Sequence, residues 1–584
     1  MKKYLTKILL ICLFSGVQHI ELIGQENNKV WFDGFSRSLF TRDAVTENVF
    51  QDTVSARNTS NGYNLLDLNT HVNPSENIEI FSQIRIKNQF GGFFGSGTSI
   101  DVRQLRAKGV INNKIRFSVG DLFLKQTRFT LYNYNEDLSG YESNKFKPYR
   151  DIIEYENFYR ENRWRSQGLQ TDFSFQFDRY IRTLEFDAFI TRPRGSSAIT
   201  SNTYSNDLLL SGGTLVSQLN KNLQFQSHYI NFFEIPTSGT TNISIRNPVY
   251  HFGISNSKKN NKSSMKQNIQ AGFSEKYWLH SERENNASDS ISNFTQGMFL
   301  KVNNEFSKKD SSWQITLGYR YVDPNFRSAG AQTRRLSFDE ENFPTIYPYY
   351  TNSQVDRPIS IFDLLADENI YNQELQGNLM LFNPVYSNVL PYGDATPNRH
   401  GFYLQSEVNY KVIKGKLNTG FFQEIIGQGT PTKRDFTMLK TAMNIKINEL
   451  VKLKKEVSIS LASENEFTNR KTDTLSQIRL YSHQLTIFGN LEIVDKLFLQ
   501  GSFKQFYAKG NEFLTQRNNY GVINNFILMD YGFTDHLISG GILYNIKKNV
   551  YANLQYNWWG KTFNSDESSN FNYNRLLFIL SVKL

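Results

Sequence analysis

The sequence predicts an all-β protein, a single large antiparallel transmembrane β-barrel, and three observations carry that prediction. Alternation of apolar and polar residues persists to the last residue: Leu576, Phe578, Leu580, Val582 and Leu584 share one side of a final strand, with nothing after them to cover it. A soluble sheet seldom leaves such a stripe on an edge, whereas a closed barrel in lipid pairs its last strand with its first and turns the apolar side to the acyl chains. The composition is 14% aromatic, with 47 Phe and 31 Tyr, yet mean hydropathy is only −0.49. Barrels give such an average because lipid-facing residues are diluted by lumen-facing ones. Finally, short, polar, often basic turns alternate with long irregular stretches rich in aromatic and acidic residues, the asymmetry of short periplasmic turns and long external loops.

At the N-terminus, Lys2, Lys3 and Lys7 precede an apolar run from Ile8 to Val17, and a cut near Gly24 would leave Gln25 first. This pattern is a secretory signal over residues 1–24; the run is far short of the ~20 residues that cross a bilayer. The only cysteine, Cys12, lies within it, so the mature chain is expected to hold no disulfide and no thiolate metal site, and its net charge falls from +10 to +8. No later stretch is long enough for a helical span. The remaining residues 25–584 show no linker or change of composition that would divide them into domains.

The first predicted strand covers Lys29–Phe40, followed by a polar loop to about Ser60, Gly62–Val72, the turn Asn73–Asn77 and Ile78–Phe90. In the last of these Ile78, Ile80, Ile84 and Ile86 share one face, with Ser82, while Glu79, Gln83, Arg85 and Lys87 share the other. That is the mark of a hairpin strand between lipid and water. Val102–Ile111 and Ile115–Gln126 follow, joined by Asn112-Asn113-Lys114; Asp121 would point to lipid unless a bulge near Gly120 shifts the register. Further hairpins are predicted for Leu169–Phe177 with Leu184–Ile190, Leu208–Leu219 with Leu223–Ile235, and Gly297–Phe306 with Trp313–Val322. Lys414-Gly415-Lys416, Lys452–Lys455, Asp495-Lys496 and Lys547-Lys548-Asn549 are read as later turns, and Tyr132–Trp164 as an external loop.

This count gives about 22 strands, an even number within 16 to 24. Parity removes Asn519–Tyr531 as a spanning strand and makes it part of an external loop, since otherwise the basic turn at Lys547 would face outward. Asn325–Arg399 is one long loop: it holds six of the thirteen prolines, which central strands exclude. A helical turn is expected near Ile361–Ala366. A loop this long either constricts the pore or decorates the outside. Tyr319, Tyr321, Tyr556, Trp558 and Trp559 fit the aromatic girdles at the membrane surfaces.

Placing the polar faces in the lumen makes Arg85, Lys87, Arg106, Lys108, Arg116, Glu79, Asp67 and His71 lumen-lining candidates. Opposed charges on facing walls can select solutes, and they also occur simply because a polar lumen satisfies its own charges. Catalytic signals are thin. Ser227–His228 and Ser482–His483 are adjacent in strands, so their side chains point to opposite faces. No HExxH is present, the glycines at Gly91–Gly97 and Gly427-x-Gly429 do not sit between a strand and a helix as phosphate cradles do, and the basic charge forms no nucleic-acid stripe. No catalytic residue, metal site or cofactor is assigned, and nucleic acid is not an expected partner.

Signal, repeated hairpins, short basic turns, long loops and the apolar terminal strand together resemble Gram-negative outer-membrane β-barrel proteins of the porin-like or exopolysaccharide-export-like kind. The resemblance is architectural and covers nearly the whole mature chain; the final Leu584 stands where that class more often has an aromatic residue, and no separate plug precedes the first strand as in TonB-dependent transporters. It implies the cell outer membrane, with its lipid as a partner, and a porin-like channel for small polar, anionic or saccharide solutes. The alternatives are a non-conducting barrel that binds a protein partner through its external loops or serves a secretion machinery and, behind it, a barrel hydrolase.

Overall fold

A computed structural model describes residues 29–47, 57–90, 97–133, 144–332, 385, 388–517, 523–564 and 570–584, with short breaks at 157, 159–160, 179–180, 196, 199–203, 236–240, 285–286, 429 and 472–475. The predicted signal and the turn at Ile361–Ala366 lie outside the described residues.

The strands are β1 (Val30–Glu47), β2 (Arg57–Ser75), β3 (Ile78–Gln89), β4 (Thr98–Ile111), β5 (Ile115–Leu124), β6 (Trp164–Gln176) and β7 (Thr183–Arg194). A two-residue pair outside the wall, β8 (Ser197–Ala198) and β9 (Tyr204–Ser205), precedes β10 (Asp207–Gln218), β11 (Leu223–Ile235), β12 (Thr241–Lys259), β13 (Ser263–Glu284), β14 (Ala287–Lys308) and β15 (Trp313–Val322). After the long loop come β16 (Arg399–Asn409), β17 (Ile413–Gln423), β18 (Asp435–Lys446), β19 (Val457–Arg470), β20 (Ile478–Val494), β21 (Leu497–Arg517), β22 (Ile523–Lys547), β23 (Val550–Phe563) and β24 (Phe571–Lys583). Each of the 22 wall strands pairs antiparallel with its neighbours, and β24 closes onto β1 from Phe35↔Lys583 to Glu47↔Phe571. Asp43 and Arg575 face each other in that seam, joined at 2.7 Å and both buried.

The period of two is plain in β3, β22, β23 and β24. Ile78, Ile80 and Ile86 of β3, Ile538 and Ile542 of β22, Leu554 of β23 and Phe578 of β24 point outward and are exposed, while Gln83, Arg85, Ser539, Gln555, Asn557 and Arg575 point inward and are buried. A belt of large exposed apolar side chains around a closed wall has no place in water and matches the lipid-facing band of a barrel. No helix among the described residues is long and apolar enough to cross a membrane. The molecule is a closed 22-strand β-barrel with the apolar outer belt of a transmembrane barrel.

Several boundaries differ from expectation, for identifiable reasons. β1 runs on to Glu47 and pairs with β2 back to Arg57, where a polar loop was predicted; ladder bonds continue beyond the bilayer without needing an apolar face. Residues of the 519–531 segment likewise form the outer end of β22, paired with β21 as far as Arg517↔Ile523, so they extend one hairpin and add no spanning strand. The turn between β16 and β17 is Tyr410–Val412, closed by the Tyr410 N–H donating to Ile413 O at 2.9 Å, and Lys414-Gly415-Lys416 lies within β17. Trp559 points inward and is buried, its indole N–H donating to Asp535 at 3.4 Å, so it is not part of the girdle. Gly120 does adopt φ +102°. Tyr132–Trp164 is not simply external: its described residues include α1 (Lys147–Glu156), which packs inside the barrel.

Candidate functional site

The lumen is narrowed by two chain segments. The connection from β5 to β6 turns inward through a short 3-10 turn at Asn144–Phe146 and then α1. Pro148 sits in the first helical turn, where a missing N–H costs nothing. At the start of this segment the Lys145 carbonyl accepts from Gln555 of β23 at 3.0 Å, and Phe146 is buried. Gly541 of β22 leaves the room: a Cβ there would lie 2.4 Å from Lys145 Nζ. Burial holds the Lys145 ammonium well below the usual lysine range, at about 7.

At its far end α1 presents Tyr155 and Glu156 to β1–β4. Glu156 pairs with Arg37 of β1 and with Arg85 of β3, whose Nη2 donates at 3.2 Å, and lies 3.8 Å from Arg103 of β4. Arg103 also donates to the backbone carbonyls of Tyr155 and Glu156 at 3.1 and 3.0 Å. Asp67 of β2 completes the group: it takes two bonds of 2.7 Å from Arg85, one of 3.2 Å from Arg103, and the Tyr155 hydroxyl. Three guanidiniums thus face two carboxylates in a buried cluster, and the bidentate Arg85–Asp67 contact fixes its geometry. Burial alone would raise the Glu156 carboxyl, but Arg37, Arg85 and Arg103 outweigh it and hold it at about 2. Tyr155 is pushed up by burial and by Asp67.

The second segment is the described part of the long loop. Residues 323–332 stack on 125–133: the Tyr132 N–H and the Trp164 indole both donate to Gly330 O at 2.8 Å, and Ser328 donates to Thr130 O at 3.1 Å. Their apolar side chains, Phe129, Leu131, Phe326, Ala329 and Ala331, form one core with inward residues of β5, β7, β10–β12, β14 and β15. Asp394 is bonded to Lys301 and Arg320, and these cations, with Arg128, depress its carboxyl against the effect of burial. Asn388 binds Thr468 and Glu512, each at 2.9 Å, and Arg399 lies 3.6 Å over the Phe436 ring. Of the two roles weighed for this loop, its described residues fill the lumen.

Space remains between these segments and β16–β22. A cavity of about 710 Å³ is lined by the short-turn ends of these strands and by Lys147 of α1, with Glu407, Lys416, Asn444, Ser460, Asn490 and Gln500 among its walls.

The predicted lumen residues divide into groups. Asp67 and Arg85 belong to the buried cluster that holds α1. Nearer the short-turn end, His71 stacks on Trp31 with centroids 3.4 Å apart and bonds Glu79 at 2.8 Å, while Lys108 pairs with Glu79 at 2.7 Å. Lys87 sits 4.7 Å over Tyr63, and Arg106 5.4 Å over Phe81. Arg116 is largely exposed and pairs with Asp172. Arg37, Arg103, Tyr155 and Glu156 were not foreseen. The polar alternation of β1 and β4 could have pointed to the arginines; nothing in the sequence of a connecting segment shows that it turns inward.

Among the described residues no group of three potential metal ligands converges. His228 faces Thr214 at 3.0 Å and lies across from His251, with ring centroids 5.1 Å apart; Ser227 is on the opposite face of its strand. His483 bonds Asn465 at 2.8 Å, on the other face from buried Ser482.

No family model matches the chain, and no curated protein matches it. Similar solved structures include Pseudomonas aeruginosa OccK8 (OprE), with 9% identity, 95% of this chain and 98% of that chain covered, and a TM-score of 0.35. Pseudomonas aeruginosa OpdL has 8% identity, coverage of 95% and 99%, and a TM-score of 0.32; Acinetobacter baumannii OccAB2 has 7% identity, coverage of 95% and 98%, and a TM-score of 0.31.

Proposed function

We propose that the protein is a passive outer-membrane channel for small polar solutes, anionic ones or saccharides in particular, narrowed by α1 and the folded-in ends of the long loop. The observation that carries this reading is the cavity left beside those segments on the β16–β22 side, with charged side chains on its rim. Its rim holds Lys147, Lys414, Lys416 and Lys446 against Glu407 and Glu456, a basic excess that favours anions where walls are close. Lys87 would add to it on the opposite wall, where Lys108 and Arg116 are balanced by Glu79 and Asp172, while Asp67 and Arg85 hold the constriction. The selecting groups are side chains on a rigid wall, so the reading assigns no catalytic step and no cofactor. Reversal potentials in a potassium chloride gradient across a planar bilayer test the charge preference: the account expects anion selectivity, and cation selectivity overturns it.

The depth of packing of the inward segments supports a second reading, a non-conducting barrel whose external loops hold a partner. A barrel that never opens in bilayers, with or without α1 clamped, favours that reading over the channel.

A further inference from the structure

The barrel wall is not hydrogen-bonded throughout. β4 and β5 pair over six residues only, from Arg106↔Gly120 to Ile111↔Ile115, whereas the next shortest wall ladders hold nine. Beyond Gly120, toward the loop end, β4 continues to Thr98 bonded only to β3, and β5 continues to Leu124 bonded only to β6. The strands part here for local reasons. Gly120 has φ +102°, and a Cβ on it would lie 2.3 Å from Leu105 O; a register shift in β4 after Gln104 adds Arg103 to the wall. Side chains take over the bonds the ladder gives up. The Leu105 N–H donates to the Asp121 carboxylate at 2.7 Å, the Arg103 carbonyl accepts from Arg165, and Arg165 and Asp121 are paired at 2.9 Å.

What stands in the gap is Phe158, from the same inward connection as α1. It is buried, with φ +57°, a conformation a bulky residue keeps only when its surroundings hold it. Its ring lies 6.1 Å from that of Phe123, between the guanidiniums of Arg103 at 4.4 Å and Arg165 at 4.1 Å. Outside, Ile100, Val102 and Leu105 are 70%, 64% and 57% exposed. Inside, Leu122 and Leu124 join the apolar core with Phe129 and Leu131.

We propose that the β4–β5 gap is a lateral port between lumen and outer leaflet, stoppered by Phe158, and that it admits an anionic single-tailed amphiphile of the long-chain carboxylate class. Two physical arguments support it. In lipid an opening in a sheet is prohibitive when it orphans backbone groups, and here two of the groups beside the gap, the Leu105 N–H and the Arg103 carbonyl, bond to Asp121 and Arg165. The gap also has the polarity of an amphiphile: Leu122, Phe123 and the Phe158 position suit the tail, and Arg165, partly exposed and paired with Asp121, is the cation a carboxylate would meet, while Arg103 stays with Asp67 and the α1 carbonyls. This route is separate from the cavity at β16–β22, so the two stand or fall independently.

The test uses the full-length protein in phosphatidylcholine vesicles and oleate carrying a diazirine in its tail. After irradiation, adducts are mapped by peptide mass spectrometry. The account expects adducts concentrated at residues 102–105, 122–124 and 158, competed by excess oleate and at least tenfold less well by oleyl alcohol. Phe158→Ala should raise the yield there several-fold. Adducts spread evenly over the outward belt, with Phe402 and Phe421 labelled as strongly, overturn the port, as does a yield unchanged by Phe158→Ala in folded protein. Equal competition by the alcohol overturns the anionic assignment. Should the variant fail to assemble, the map and competition on the wild-type chain decide alone.

Discussion

Glu156 is the residue on which the inward helix turns. Its carboxylate faces Arg37, Arg85 and Arg103, and removing the charge leaves Arg37 without its carboxylate partner and Asp67 as the one carboxylate facing Arg85 and Arg103. Breaking a buried pair from one side costs about 3–5 kcal/mol, so Glu156→Gln should free α1 from the wall. The expected outcome is faster proteolysis between residues 144 and 163 with the barrel intact. The same carboxylate gives the constriction a pH dependence. Its folded value is depressed from 4.5 to about 2, so the docking it supplies is complete above pH 4.5 and is lost as pH falls toward 2. Channel current should therefore rise on acidification within that window, and the rise should vanish in Glu156→Gln. At the seam, Arg575 and Asp43 are buried directly opposite each other. Arg575→Ala leaves an unpaired carboxylate where the barrel closes, with an expected loss of about 3–5 kcal/mol, read as a lower urea midpoint in detergent or lipid.

At the level of elements, the face assignment is the strongest statement the strands make. Leu554 of β23 points outward between inward Asn553 and Gln555. Leu554→Arg should impair assembly by about 2–4 kcal/mol near the bilayer midplane, measured as the folded fraction by gel mobility without heating; normal assembly would reverse the assignment. The faces of β3, β22, β23 and β24 were legible because alternation is a direct record of lipid on one side and water on the other. The outer ends of β1, β2 and β22 were not, because a ladder above the membrane imposes no pattern on its side chains. Trp559 was misplaced for a related reason: adjacent Trp558 and Trp559 must face opposite ways, and composition alone sends both to the girdle. The misplaced charge of Asp121 pointed to an irregularity near Gly120, which takes φ +102°, but the register shift lies in β4 between Val102 and Gln104, and the parting of β4 and β5 depends on contacts made by Arg165 and Phe158 far along the chain.

For the whole molecule, a closed wall of 22 strands is wide enough for a water-filled lumen or an internal plug, and this chain fills part of it with its own connecting segments. The charges on the walls were visible in sequence as polar faces, with Arg85 and Asp67 among them. What they bind was not, since Glu156 and Asp394 lie in segments whose sequences carry no periodic signal. The wall charges around Asp67 and Arg320 anchor the inward segments, and in the proposed reading those around the cavity face the solute. The central claim is that a narrow conducting path survives beside those segments. Single-channel recording of the purified protein in a planar bilayer tests it most directly: the account predicts small discrete openings in the wild type and several-fold larger ones in Glu156→Gln, and an absence of openings at every voltage in both proteins would contradict it.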